Sequence, residues 1–191
     1  MEDCIDLYES FFTKEEADSF YNELLKLNLT SSLVTKGDLK VIEIPRKIGY
    51  FSDLGEDYGY ANLILKGQTW SPVLLEIKKA LEEKLNYSFN SVLVNLYRDG
   101  NDTIDWHSDS EPQLGENPTI ASVNFGASRV FKFKEKVKGE KKKYDFLLNH
   151  GTVIIMKNEC QTKYLHSIRR DYTVKNPRFN LTFRKTWAEK K

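Results

Sequence analysis

Arg178-Phe179-Asn180-Leu181-Thr182-Phe183-Arg184 alternates strictly, which makes it a strand with two unlike faces. Phe179, Leu181 and Phe183 share one face and belong in a core. Arg178, Asn180, Thr182 and Arg184 share the other, which carries two guanidiniums, an amide and a hydroxyl. An interior strand collects two arginines on one face when they hold an anion. The strand spans roughly 20 Å, which suits an elongated ligand with a carboxylate at each end. A solvated basic edge strand, or a contact to nucleic-acid phosphates, would carry the same residues.

Five upstream segments share the β-branched and aromatic character of this strand: residues 91–97 (SVLVNLY), 119–126, 129–135, 144–149 and 152–157. Turn signals separate them, at Asp99-Gly100-Asn101, Gly115-Glu116-Asn117-Pro118, Gly126 and His150-Gly151. The lysine-rich run at 136–143 reads as an exposed hairpin loop. Two helices precede the strands. Residues 14–28 combine capping-box spacing between Thr13 and Glu16 with a stripe of Ala17, Phe20, Tyr21, Leu24 and Leu25. A second helix starts at Ser71, with Pro72 in its first position and a stripe of Leu74, Ile77, Leu81 and Leu85. Residues 31–70 are broken by Gly37, Pro45, Gly49, Gly55 and Gly59, and read as irregular structure with short strands. The expected class is α+β: two N-terminal helices packed against about six to eight strands of sandwich, barrel or jelly-roll type.

A chain of 191 residues suits one domain. Its 11 Phe, 10 Tyr and 3 Trp supply a core that disordered chains lack. No run of about 18 apolar residues offers a membrane span. The N-terminus, MEDCIDLYESFF, has acids where a secretory signal needs bases. Two cysteines, Cys4 and Cys160, are too few for a disulfide framework, so a reduced intracellular setting is expected. Charge is uneven along the chain. Residues 1–126 hold 11 Lys/Arg against 22 Asp/Glu, net −11, and residues 127–191 hold 18 against 6, net +12. The basic part either meets a polyanionic partner or is neutralised within the fold.

Trp106-His107-Ser108-Asp109 places an imidazole and a carboxylate two residues apart, on one face of a strand. Such a pair could serve one metal ion, with a third ligand from elsewhere. His166, in Tyr164-Leu165-His166-Ser167-Ile168, is far enough along for a β-fold to return it. Two histidines and one carboxylate on one side leave three coordination positions open, the arrangement of non-haem Fe(II) oxygenases. H-x-D alone is common and carries little weight. On 91–97, Asn95 and Tyr97 share a face opposite Val92, Val94 and Leu96. An amide and a phenol placed there could bind a small polar ligand or mark a rim position.

In order and spacing, Asn95-x-Tyr97, His107-x-Asp109, the distal His166 and Arg178-x-Asn180-x-x-x-Arg184 resemble the AlkB family of Fe(II)/2-oxoglutarate dioxygenases, closest to the eukaryotic-type homologues acting on DNA. The likeness covers roughly residues 41–186. It includes Ile44-Pro45-Arg46-Lys47, Asn95-Leu96-Tyr97-Arg98-Asp99, IASVNFGA at 120–127 and Asn180-Leu181-Thr182-Phe183-Arg184-Lys185. The resemblance implies a double-stranded β-helix, or jelly roll, in a single domain over 1–191. Residues of about 1–90 would form an N-terminal extension with helices and a nucleotide-recognition lid, and about 91–186 the catalytic core. It implies oxidative dealkylation of bases of the 1-methyladenine and 3-methylcytosine type in DNA, with Fe(II) as cofactor and 2-oxoglutarate and O2 as cosubstrates. The alkyl carbon on the ring nitrogen is hydroxylated and leaves as formaldehyde. The same chemistry on RNA, or a catalytically silent nucleic-acid-binding module, are the alternatives.

By the same resemblance His107, Asp109 and His166 are the iron ligands. Asn95, Tyr97, Arg178, Asn180, Thr182 and Arg184 form the 2-oxoglutarate pocket, and His150 is structural. The target base must leave its stack. Tyr60 is then its stacking partner opposite His107, Tyr58 lines the pocket, and Glu111 accepts the exocyclic amino group. Ser110 stands where relatives carry a second acid. The 31–47 segment becomes part of a lid, with Leu39 the one apolar candidate for a wedge. Arg46, Lys47 and the 136–143 loop become phosphate contacts. A monomer acting on DNA without a membrane is expected, cytoplasmic in a prokaryote or nuclear in a eukaryote.

Overall fold

Alternating sequence becomes strand and striped sequence becomes helix in the computed structural model, which describes residues 1–31, 33–36, 40–60 and 63–187; of residues 2, 33–36, 40–42, 60 and 63 only the backbone is described. The first half contains β1 (Ile5–Tyr8), α1 (Lys14–Leu24), β2 (Leu33–Lys36), β3 (Lys40–Glu43), β4 (Lys47–Ser52), β5 (Tyr58–Tyr60), β6 (Leu63–Leu65), β7 (Gly67–Gln68) and α2 (Pro72–Leu85). The second half contains β8 (Ser91–Tyr97), β9 (Ile104–His107), β10 (Ile120–Gly126), β11 (Arg129–Glu135), β12 (Lys143–Leu148), β13 (Val153–Met156), α3 (Cys160–Lys163), β14 (Tyr164–Ile168) and β15 (Arg178–Arg184). The larger sheet has the order β1-β13-β10-β15-β8-β4-β7 and the smaller β12-β11-β14-β9. Two further ribbons pair β2 with β3 and β5 with β6.

The two faces of β15 separate as the alternation requires. Phe179, Leu181 and Phe183 enter a core with Val92, Val94, Val123 and Phe125 of the neighbouring strands. Ala17 and Leu24 of α1 and Val73, Leu74, Ile77 and Leu81 of α2 join the same cluster, so both helices cover this face. A second core draws on both sheets. Tyr97, Ile120, Ile154 and Met156 come from the larger, and Phe131, Phe133, Leu148 and Ile168 from the smaller. The polar face of β15 therefore looks into the space between the sheets.

Most expected boundaries hold, and the exceptions have physical reasons. Thr13 and Glu16 form the reciprocal cap of α1, but the helix stops at Leu24, short of residue 28. The Lys26 and Leu27 N–H groups turn back to the Glu23 and Leu24 carbonyls, tightening the end, and Leu25 is left exposed. α2 begins at Pro72 after Ser71 and ends at Asn86 in the left-handed conformation, φ 48°. Strands β1, β4 and β7 lie before residue 91 yet belong to the larger sheet, so a boundary near residue 90 runs through that sheet. His150 ties α1 to β10: it accepts from the Gly126 N–H at 2.8 Å, and its Nε2 faces Asp18 Oδ1 at 3.1 Å. Cys4 and Cys160 are free and buried. Leu39 lies outside the described residues. Among the described residues no helix is long and apolar enough to cross a membrane.

The connection from β8 to β9 sets the direction of the strand that carries His107. Asp102, 3 % exposed, accepts from the Arg98 N–H, Nε and Nη2, each at 2.8 Å. Arg129 braces the same turn from below, donating to the carbonyls of Asp99, Asp102 and Arg169 at 3.0, 2.9 and 2.8 Å. Burial pushes the Asp102 pKa up, but the Arg98 hydrogen bonds outweigh it, and the net shift is downward from 3.8. A carboxyl more acidic folded than unfolded stabilises the fold above its unfolded pKa and loses that contribution as pH falls. Asp102→Asn should therefore lower stability by about 1–3 kcal/mol at pH 7. The gap to wild type should shrink as pH drops below the ordinary carboxylate value. Urea midpoints across that range measure both effects.

Candidate active site

β9 and β14 are antiparallel neighbours, and their register places His107 directly across from His166. The strand ends at His107, so Asp109 is not on the strand face that the H-x-D spacing suggests. It lies in the following loop, its N–H donating to Gln161 Oε1 at 2.9 Å. The outcome is nonetheless convergent: ligand atoms of His107, Asp109 and His166 all lie within 4.8 Å of one another. Asp109 Oδ1 is 3.6 Å from His107 Nε2 and 3.9 Å from His166 Nε2.

The protonation states suit a cation. His107 Nδ1 lies 2.8 Å from the Asp105 carbonyl. A carbonyl only accepts, so Nδ1 carries the proton and Nε2 offers its lone pair. Burial pushes the His107 pKa down and that of His166 down to about 3, so both rings are neutral. Burial would raise the pKa of Asp109, but the Arg184 guanidinium, with Nη2 3.0 Å from Oδ2, holds it below the usual carboxylate value. Two neutral imidazoles and one carboxylate fit a divalent metal with open positions.

One narrow cavity runs from these residues to Asn95, Tyr97, Arg178, Asn180, Thr182 and Arg184. All six residues expected in a cosubstrate pocket are thus brought together. Arg178 is buried with its guanidinium 5.1 Å from the Tyr97 ring centroid, and its Nη2 donates to Asn124 Oδ1. Its Nε and Nη1 have no partner. Burial lowers its pKa to about 10. A buried cation with two open N–H groups fits a carboxylate. Asn180 Nδ2 donates to Ser122 Oγ at 2.7 Å, and the Thr182 hydroxyl to Asn180 Oδ1 at 3.3 Å.

The expected base-contacting residues divide. Tyr58 is buried, stacked on Tyr50 with centroids 4.5 Å apart, and its hydroxyl accepts from Arg184 Nη1 at 3.2 Å. The Glu111 pKa is raised chiefly by burial, against the opposing charge of Arg184. Glu111 Oε2 is buried and has no partner. Tyr60 lies on β5, with its side chain outside the described residues. Lys47 is half-buried on β4.

Arg46, expected as a phosphate contact, faces inward. It is 4 % exposed, and its Nε donates to Asn95 Oδ1 at 2.7 Å and its Nη1 to the Thr103 carbonyl at 3.2 Å. It forms the wall behind the cavity. Sequence reading also passed over Ser122 and Asn124. Both alternate with Ala121, Val123 and Phe125, the period that exposed the polar face of β15.

A cavity with two imidazoles and a carboxylate at one end, and a buried guanidinium at the other, defines a metal-dependent oxygenase with an anionic cosubstrate. The chain belongs to the 2OG-Fe(II) oxygenase superfamily, whose family model matches residues 5–184, and within it to the AlkB dioxygenases. The cofactors this family implies are Fe(II) with 2-oxoglutarate and O2. The chain is 36 % identical over 191 residues to alpha-ketoglutarate-dependent dioxygenase alkB homolog 3 of Bos taurus, covering 96 % of this chain and 66 % of that protein. It therefore spans about two thirds of that relative's length. It is 35 % identical over 193 residues to DNA oxidative demethylase ALKBH2 of Mus musculus, covering 96 % of this chain and 81 % of that protein. The solved structure of OsALKBH1 superposes with a TM-score of 0.61 at 17 % identity, over 95 % of this chain and 97 % of that one, and shares the fold.

The inward place of Arg46 has a measurable consequence. Arg46→Met should weaken 2-oxoglutarate binding several-fold, because Asn95 loses the donor that orients it. The salt dependence of oligonucleotide binding should stay unchanged, whereas loss of a phosphate contact would reduce that slope. Calorimetry and a salt series read the two effects separately.

Proposed function

We propose that this chain oxidatively dealkylates bases of the 1-methyladenine and 3-methylcytosine type in DNA, restoring the base and releasing formaldehyde. The observation that carries the reading is the polarity of one cavity. Metal donors stand at one end, and Arg178 has two open N–H groups at the other. The kinship with DNA oxidative demethylase ALKBH2 supports the choice of substrate. We read the facing sheets as a double-stranded β-helix and the chain as one catalytic domain, working as a monomer. Buried free cysteines suit a reducing, intracellular setting.

In this reading His107, Asp109 and His166 hold Fe(II). Once bound, the metal with 2-oxoglutarate and O2 supplies the oxidant that hydroxylates the alkyl carbon on the ring nitrogen. The chain's own residues bind and orient. Arg178 takes the distal carboxylate with its two open N–H groups, and the flat fork matches a carboxylate better than an ammonium would. Tyr97 and Asn180 wall that end, Asn95 and Thr182 line the middle, and Arg184 sits where the carboxylate nearest the metal would lie. The flipped base stacks on Tyr60 opposite His107. Tyr58 holds Glu111 at the pocket wall, and Glu111 accepts from the exocyclic amino group. Lys47 and the exposed lysines of the loop between β11 and β12 meet the phosphates, and the β2–β3 ribbon serves as part of the lid.

Two outcomes test the cosubstrate end and the base end. With Mn(II) in place of iron, Arg178→Ala should weaken 2-oxoglutarate binding by about 1–3 kcal/mol, and Arg178→Lys should recover little of it. Unchanged affinity in both variants would return Arg178 to a purely structural role.

The direct test incubates the protein with Fe(II), ascorbate, 2-oxoglutarate and methylated oligonucleotides, and follows loss of the methyl group by mass. Wild type should repair 1-methyladenine and 3-methylcytosine, and His107→Ala should repair neither. Glu111→Ala should lose more activity on those two bases than on 3-methylthymine, which has no amino group to donate. Equal losses on all three would remove Glu111 from base recognition.

A further inference from the structure

α3 is a single helical turn, and it runs directly into β14, which carries His166. Gln161 on that turn is 3 % exposed and has both ends of its amide satisfied. Its Oε1 accepts the Asp109 N–H at 2.9 Å, and its Nε2 donates to Met156 Sδ at 3.3 Å. The second bond fixes which end of the amide faces Asp109. From outside, Lys136 Nζ donates to the Gln161 carbonyl at 2.6 Å and to Ser108 Oγ at 2.8 Å. The turn thus holds Asp109 directly, and Lys136 ties the turn to the neighbouring Ser108. The expected ligands His107 and His166 are fixed by strand pairing. Asp109 lies beyond the strand, and no ladder hydrogen bond holds it.

We propose that Gln161 is a positioning residue for the metal: its amide anchors the main chain of Asp109 and so holds that carboxylate in register with the two imidazoles. The inference rests on the reading of Asp109 as a metal ligand. A carboxylate on an irregular loop needs such an anchor, because metal sites tolerate only about 0.5 Å of misplacement. Groups behind the ligands commonly change metal affinity by about 10–100-fold.

The choice of variant matters. A cavity bordered by Ser110, Lys136, Gln161 and Thr162 would admit water to a truncated side chain, and water could replace the lost acceptor. Gln161→Leu keeps much of the bulk and removes the acceptor. Gln161→Glu keeps an acceptor for the Asp109 N–H. The full-length metal-free protein is titrated with Mn(II), free ion being read by electron paramagnetic resonance, and each metal-free variant is melted. Gln161→Leu should raise the Mn(II) Kd about tenfold or more. Gln161→Glu should bind Mn(II) within a few-fold of wild type, even where its metal-free melting temperature falls. Native affinity in Gln161→Leu, or equal losses in both variants, would overturn the proposal. If Gln161→Leu does not fold, Gln161→Glu decides alone, near-native affinity supporting the role and a loss overturning it. Asp109→Ala separates the two readings. Normal Mn(II) binding in that variant would sink the metal site itself, whereas its loss beside an intact Gln161→Leu would sink only the inference.

Discussion

A guanidinium buried without a counter-charge is costly, and Arg178 is one, 2 % exposed with two of its nitrogens unpartnered. Much of the larger sheet is arranged around that fact. β15 lies in the interior of the sheet, between β10 and β8, so its backbone is paired on both sides. Cross-strand register sets Tyr97 opposite Arg178 and aligns Asn95, Asn180 and Asn124 across three strands. The Tyr97 ring and the Asn124 amide partly compensate the charge. On the other face Phe179, Leu181 and Phe183 pack under α1 and α2, and this burial anchors the strand that must carry the polar load. In the proposed reading a bound carboxylate supplies the remaining compensation.

The site lies between two sheets, and this explains its length. The expected metal ligands come from the smaller sheet and the loop beyond it, and the polar face of β15 comes from the larger. Packed sheets stand about 10 Å apart, a separation that a short dicarboxylate can bridge. Arg184 belongs to the larger sheet yet reaches Asp109 at 3.0 Å, so its ion pair also fixes the spacing of the sheets at the metal end. Its desolvation is offset by that carboxylate, whereas Arg178 has none within reach among the described residues. The two arginines of one strand are therefore chemically unlike, although the sequence presents them as equivalents.

What was legible in the sequence followed period two. The bounds of β8, β11 and β15 coincide with the alternating segments, because each of these strands turns chemically unlike residues to its two faces. Convergence of His107, Asp109 and His166 was legible through the family's spacing, not through local geometry, since Asp109 is off the strand. The burial of Arg46 is not legible locally, because beside Lys47 it looks like a surface base. Its burial depends on Asn95, 49 residues away. α3 was invisible because one helical turn cannot display a stripe. β1 was missed because it becomes a strand only by pairing with β13, about 150 residues later in the chain. Residues whose state is decided by distant partners leave no local mark.

The base-facing and cosubstrate-facing sides share one side chain. Arg184 Nη2 pairs with Asp109, its Nη1 donates to Tyr58, and its charge acts on Glu111. A carboxylate expected to ligate the metal and a carboxylate expected to read the base are thereby oriented through a single planar cation. In a low-dielectric interior such a chain is polarised as a unit. Substitutions at Tyr58, Glu111 and Arg184 should then combine non-additively, and none of the three can be assigned an energy of its own. The guanidinium that steadies Asp109 also holds the Tyr58 hydroxyl, so a substitution at Tyr58 should be felt at Asp109 as well.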